Sequence, residues 1–469
     1  MKQAATLLAI ILTLGLLSSL VEAKELTLDD CISLALQNRA TIIRARGAES
    51  QAGAAQRSAL GAFLPNVRAG YSYSKGKTIN MDPARLLSAD YRVVALDTTW
   101  VIDPLGADSQ YAVTPVRVPF NQLYYDEQDE GPSKSLSVTA GLAVIDVGNW
   151  FDYAAASAAK ASAKLDVLAS EQDLITAVKV SYYAYLAAVE NVAVQQDAVK
   201  RADEQLKLIE SRFELGSASK SDVLRQKVQF GNDQLAFLRA NNAVTQSKAD
   251  LAYTVGIDPR EENQFSSDYR VREYVGTLDE AIGFSMEHNP RFLSSEKTVD
   301  QAKHSLRSAK SGYLPTLSAS ADWRKFNGTQ GYPFDPLDYS STSYSVGFSI
   351  SYNIFDGFIR EQRVNSAGVF RNNALADLAD ARNSTIAVVK SSYLEIDLLK
   401  KQVEVSTENV AAAEEDFRIT QEKYNLGAAT ILDLLTSQVS LKEAQVALIR
   451  VQFDLNLAIA RLENAMGKM

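Results

Sequence analysis

The chain is written twice. Residues 27–69 align without a gap onto 277–319, an offset of 250, with identities that include Thr27/Thr277, Leu28/Leu278, Asp29/Asp279, Ile32/Ile282, Gln51/Gln301, Arg57/Arg307, Leu64/Leu314 and Pro65/Pro315. A second ungapped block carries 175–256 onto 386–467 at an offset of 211. A tandem duplication imposes twofold internal pseudo-symmetry on any architecture the chain adopts. It divides the sequence into a leader 1–23, a first repeat 24–256, a link 257–276 and a second repeat 277–469.

The leader has Lys2, then the apolar run AATLLAIILTLGLLSSLV, then Val21-Glu22-Ala23, whose small residues suit signal peptidase. It reads as a secretory signal; an uncleaved anchor is the competing reading, because the run is about long enough to span a bilayer. No cysteine directly follows the run, and Cys31 lies further on in the polar context LTLDDC, which argues against a lipoprotein. No later stretch is apolar enough for a membrane helix, so an exported chain that enters a membrane must do so with strands. One cysteine, Cys31, excludes an intrachain disulfide and a thiolate zinc cluster, and two histidines, His288 and His304, leave no multi-histidine metal site. A net charge of −9, with basic residues scattered among acids, argues against nucleic acid.

Each repeat opens with a capping box, Thr27-Leu-Asp-Asp30 and Thr277-Leu-Asp-Glu280, and the predicted helices 27–62 and 277–312 end before Pro65 and Pro315. Two strands follow in each copy, near 66–74 and 135–145, then near 316–323 and 343–354. Asp146 and Asp356 then stand where they can cap the next helix. The last strand alternates strictly: Tyr344, Val346, Phe348, Ile350, Tyr352 and Ile354 on one face, Ser343, Ser345, Gly347, Ser349, Ser351 and Asn353 on the other. An apolar face with tyrosines near its ends, backed by small polar residues, fits a membrane barrel with a wet interior, so Tyr344, Val346, Phe348, Ile350 and Tyr352 are the expected lipid-facing set. Residues 76–133 read as a solvated loop, the acidic run 126–130 offering a calcium site as a weaker alternative. Four strands cannot enclose a pore and an open edge is not tolerated in lipid, so the barrel must be shared between chains, as a dimer or a trimer.

Apolar residues recur every seven positions at Val178, Tyr185, Val192, Val199, Leu206 and Phe213, and the duplicate keeps the seam at Val389, Ile396, Val403, Val410, Phe417 and Tyr424. Such spacing demands a supercoiled partner. The first long helix reaches roughly 95 Å, and the helices 219–255 and 277–312, at roughly 55 Å each, match it when stacked end to end. The helices 27–62 and 429–466 stack likewise beside the other long helix. The expected result is a helical column about 100 Å tall continuing a β-barrel. Gly216 and Gly427 suit the left-handed position after each long helix, and Ser219 and Thr430 the next N-cap.

With the duplication, the Leu-Pro before each first strand, Phe355-Asp356-Gly357 after the fourth, and two aromatic-x-x-Gly turns followed six residues later by Asp222 and Asp433, the mature chain resembles the TolC family of outer-membrane efflux proteins. The resemblance implies an α+β membrane protein: a trimer whose twelve-stranded β-barrel, four strands per chain, continues into a periplasmic α-helical coiled-coil barrel. It implies a passive exit duct of a tripartite efflux or type I secretion system in the outer membrane, without cofactor or catalysis. The turns Leu215-Gly216-Ser217 and Leu426-Gly427-Ala428 would dock a periplasmic adaptor protein and its inner-membrane pump. Asp433 matches a constricting position at the tip, and Asp222 and Tyr424 a latch pair. The chain departs from the pattern at Thr436, where a second constricting aspartate is often found, and at Ala429, where a latching arginine can sit. Ser219-x-x-Asp222 and Thr430-x-x-Asp433 are also capping boxes, so both aspartates have a structural role beside the gating one. If Asp433 repeats around a threefold axis, like-charge repulsion should raise its pKa.

No P-loop, G-x-S-x-G, H-E-x-x-H or dinucleotide fingerprint is present, which leaves an enzyme reading with no site. A secreted coiled-coil scaffold or adhesin is the better rival; it accounts for export and heptads but not for amphipathic strand pairs at matched places in both copies.

Overall fold

A computed structural model describes residues 25–468 apart from 82–90, 102–109, 120–124, 262, 268–273 and 333–334. The expected signal segment 1–23 therefore lies outside the described residues. The chain divides into a helical unit, which gathers the residues up to Ala59 with Trp150–Gly312 and Asp356–Met469, and a β unit of Leu60–Asn149 and Tyr313–Phe355.

The helical unit begins with α1 (Leu28–Asn38) and α2 (Ala40–Gly61). It continues through α3 (Val147–Glu214), α4 (Lys220–Val255), α5 (Leu278–His288) and α6 (Pro290–Ser311), and ends with α7 (Ile359–Asn425) and α8 (Ile431–Met466). The capping boxes form as read: the Asp30 and Glu280 amides donate to the hydroxyls of Thr27 and Thr277, each at 3.3 Å, while the carboxylates receive the threonine amides. Neither 27–62 nor 277–312 is a single helix, which corrects the sequence reading. In the second copy Pro290 cannot donate to the helix before it and pushes Asn289 out of the helical region, and Asn289 instead caps α6, accepting from the amides of Arg291 (2.9 Å) and Phe292 (3.2 Å). In the first copy Arg39 takes the same extended conformation without a proline; its guanidinium donates to the Tyr253 carbonyl at 3.0 Å and lies 4.8 Å from the centre of that ring.

The long helices α3 and α7, 68 and 67 residues, each extend about 100 Å. Asp146 caps α3 through the Gly148 amide at 2.9 Å. Its duplicate does not sit directly before α7. Gly357 and Phe358 both adopt positive φ (69° and 67°), and Asp356 reaches past them to the Arg360 amide (3.1 Å) and guanidinium (3.0 Å). The duplication is visible in the packing, where Cys31, Val178, Leu251 and Val255 of one core cluster correspond to Ala281, Val389, Leu462 and Met466 of another. Cys31 is fully buried, and that burial, with the nearby Asp30 carboxylate, pushes its thiol up to about 12. It is a packing residue, not a reactive one. The end of α8 closes on the α5–α6 break: Asn289 Nδ2 donates to the Ala465 carbonyl at 2.8 Å, and Gly467 turns away with φ 79°.

In the β unit a four-stranded antiparallel sheet has the order β1 (Asn66–Met81), β4 (Tyr125–Ile145), β5 (Thr316–Tyr332), β6 (Asp335–Ser351). A separate hairpin pairs β2 (Tyr91–Val101) with β3 (Gln110–Pro119). The reading of 76–133 as a loop is thus overturned: β1 and β4 stay paired out to Met81 and Tyr125, which places 126–130 in a ladder, and the β-branched and aromatic residues between form the extra hairpin. At the other end β6 stops at Ser351, so Tyr352 and Ile354 lie beyond the strand.

Register assigns every residue of the sheet to one of two faces. One face carries the rows Ile350–Leu317–Ile145, Phe348–Ala319–Leu142, Val346–Ala321–Ala140–Val67 and Tyr344–Trp323–Val138–Ala69. The opposite face carries Gly347–Ser320–Gly141–Asn66, Ser345–Asp322–Thr139–Arg68, Ser343–Arg324–Ser137–Gly70 and Ser341–Phe326–Ser135–Ser72. Hydroxyls bridge strands on this polar face, Ser72 to Ser135 at 2.8 Å and Ser74 to Ser133 at 2.7 Å.

Candidate gating turns and the two-faced sheet

Two short turns connect the long helices to their returning partners. After α3 the chain reverses with Gly216 at φ 77°, the Ser217 amide donating to the Arg212 carbonyl at 2.8 Å; after α7 Gly427 takes φ 74° and the Ala428 amide donates to the Lys423 carbonyl at 2.7 Å. Both are left-handed helix ends of the kind only glycine adopts without strain. Leu215 and Leu426 project from them, 83% and 84% exposed. The helices beside the turns are tied together by a shared cluster of Leu206, Ile209, Val223, Ile431 and Leu434, against which Tyr424 packs partly buried.

Ser219 and Thr430 start the return helices. Asp222 accepts from the Ser219 hydroxyl at 2.7 Å and amide at 3.2 Å, and Asp433 accepts from the Thr430 hydroxyl at 2.7 Å and amide at 2.9 Å. The Thr430 hydroxyl, then its backbone amide, hold the Asp433 carboxyl below the usual carboxylate range. Within one chain the shift therefore runs opposite to the direction expected from a ring of like charges. Burial pushes the Tyr424 phenol up, the Asp222 charge adds to this, and Arg212 opposes it.

Arg212 is the residue that sequence reasoning did not single out. It lies on α3, yet its guanidinium donates to the Asn425 side chain at 3.1 Å and sits 5.2 Å from the Tyr424 ring centre, joining the two turns. The only sequence signal was a cation one turn before the glycine. Thr436 turns its hydroxyl back to the Leu432 carbonyl at 2.8 Å.

On the sheet, Tyr344, Val346, Phe348 and Ile350 form one continuous exposed row on the apolar face, between 74% and 85% accessible; Tyr352, also exposed, lies past the strand end. Among the described residues no helix is long and apolar enough to cross a membrane, and no group of metal-ligating side chains is present.

Duplicated helical hairpins and a sheet with one apolar and one hydroxyl-rich face define the class of outer-membrane channel proteins. The family model for outer membrane efflux proteins matches residues 31–256 and 282–468, and the chain belongs to that family. It is 23% identical over 351 residues to the outer membrane protein TolC of Escherichia coli, an alignment covering 72% of this chain and 69% of that one. The solved structure of the Campylobacter jejuni CmeC outer membrane channel superposes with a TM-score of 0.72 at 16% identity, over 94% of this chain and 85% of that one. VceC of Vibrio cholerae gives 0.72 at 18% identity, over 94% and 96%. The chain is thus an outer-membrane exit duct for efflux or type I secretion, and the scaffold or adhesin alternative is set aside.

Proposed function

We propose that three copies assemble into a closed barrel of twelve strands and a helical tunnel, forming a passive duct that catalyses no reaction and needs no cofactor. One observation carries this reading: each chain supplies four strands with an exposed apolar face and a hydroxyl-rich face, and the sheet ends at β1 and β6. Open edges beside an apolar surface are costly in lipid and are removed by sister sheets closing the cylinder. Tyr344, Val346, Phe348, Ile350 and Tyr352 then face the lipid. In domain terms, a signal segment 1–23 precedes the repeats 24–256 and 277–469, joined by 257–276.

The tip turns dock the partners in this reading. Leu215, Gly216 and Ser217, with Leu426, Gly427 and Ala428, present small and apolar surface to a periplasmic adaptor, which couples the duct to an inner-membrane pump; Asp433 narrows the entrance, and Asp222, Tyr424 and Arg212 hold the helices in the closed position. The test is the mass and conductance of detergent-purified protein. A trimer that forms single channels in planar bilayers is expected, and a stable monomer that needs no detergent would falsify the proposal.

Asp433→Ala is expected to raise single-channel conductance or weaken blockade by a multivalent cation, and no change in either removes the gate role. A pH titration of the blockade separates the two pushes on this carboxyl. The Thr430 bonds keep it charged below its ordinary value of about 4, so blockade that persists there shows that they dominate; loss of blockade well above that value shows that repulsion among three copies dominates.

A further inference from the structure

Small side chains occupy most of the polar sheet face. Toward the Ser351 end of β6 this face carries Asn66, Gly141, Ser318, Ser320, Gly347, Ser349 and their neighbours. Two consecutive rows further along the strands break the rule, about 7 Å apart: Arg68 with Asp322, then Arg324. All three are exposed, and no ion pair among the described residues engages them. They leave each sheet with a net positive charge at this level, in a chain of formal charge −9. The next positions outward carry Phe326 and Tyr339, whose ring centroids are 6.3 Å apart on the same face.

If this face lines the pore, as the duct reading requires, the threefold repeat turns the two tiers into a collar. The geometry points to a binding and selectivity site for amphiphilic organic anions: Arg68 and Arg324 receive a carboxylate, sulfonate or phosphate, and Phe326 with Tyr339 contacts a planar apolar body. Guanidinium groups pair with such head groups through forked, charge-assisted hydrogen bonds, and a low-dielectric wall focuses their field into the water-filled passage. Asp322 weakens the site and excludes none of this, because the two guanidiniums outnumber it in every subunit. Within the barrel, the collar is where cargo chemistry is sensed by this chain itself, independent of any pump.

The test uses the full-length trimer in planar bilayers, with benzenesulfonate as the blocking anion and a potassium chloride gradient to read ion preference. For Arg68→Ser/Arg324→Ser the expected results are a reversal potential shifted toward cations and benzenesulfonate blockade weakened roughly tenfold, the loss of about 1.4 kcal/mol of attraction. Phe326→Ser should weaken the same blockade while leaving the reversal potential in place. Asp322→Ser should shift both readouts the other way, and it decides the matter if the double variant fails to insert. Wild-type protein that makes no channels overturns the duct reading. Channels that form normally but show the same reversal potential and blockade in all three variants overturn the collar alone.

Discussion

Phe348→Arg is expected to remove the protein from outer membranes, whereas Ser349→Arg, its neighbour in sequence, is expected to leave assembly nearly intact. Phe348 is 74% exposed on the apolar face, and the adjacent residue belongs to the hydroxyl face. An arginine facing the bilayer midplane costs about 2–4 kcal/mol, and a threefold assembly incurs that cost three times. On the wet face the same side chain keeps its hydration. Membrane fractionation and the yield of detergent-stable trimer read the contrast; equal recovery of both variants would reverse the assignment of faces.

Gly467→Ala is expected to destabilise the helical unit by about 2–4 kcal/mol, a loss combining left-handed strain with overpacking. Gly467 has φ 79°, and a Cβ there would lie 2.7 Å from the His288 carbonyl carbon and 2.8 Å from Asn289 Cα, backbone atoms that cannot rotate aside. Gly427→Ala is the matching control. Its φ is 74° but nothing lies within 4 Å of the added carbon, so only the conformational part, about 1 kcal/mol, is expected. Thermal melts of the two variants isolate the steric contribution, and equal melting losses would show that the end of α8 does not clamp the α5–α6 break.

The parts of this architecture that obey local rules were legible in the sequence. Four capping boxes, two left-handed glycines and the alternation of β6 each declare themselves within a dozen residues, the seven-residue seams over 36, and the duplication repeats most of them. The features that escaped are of two kinds, local irregularities and contacts with distant partners. The break at Pro290 is a local signal that the reading of 277–312 as one helix passed over, whereas in the first copy Arg39 breaks the helix with its side chain drawn to Tyr253 on α4. Arg212 reads as one more surface cation until Asn425 is placed beside it. The β2–β3 hairpin was hidden because its alternation is irregular, with a register shift between Val93 and Ala95. Phe358, the one described non-glycine residue with positive φ, gave no sign that Asp356 must cap its helix from further out.

The bare rims of β1 and β6 also say something about the life of a newly made subunit. Until it meets two others, it carries a pair of adhesive margins and a greasy flank through an aqueous compartment, the combination that seeds clumping between copies of one polypeptide. Encounter rate and insertion capacity, more than the intrinsic stability of the separate subunit, should therefore set how much functional duct a cell can accumulate.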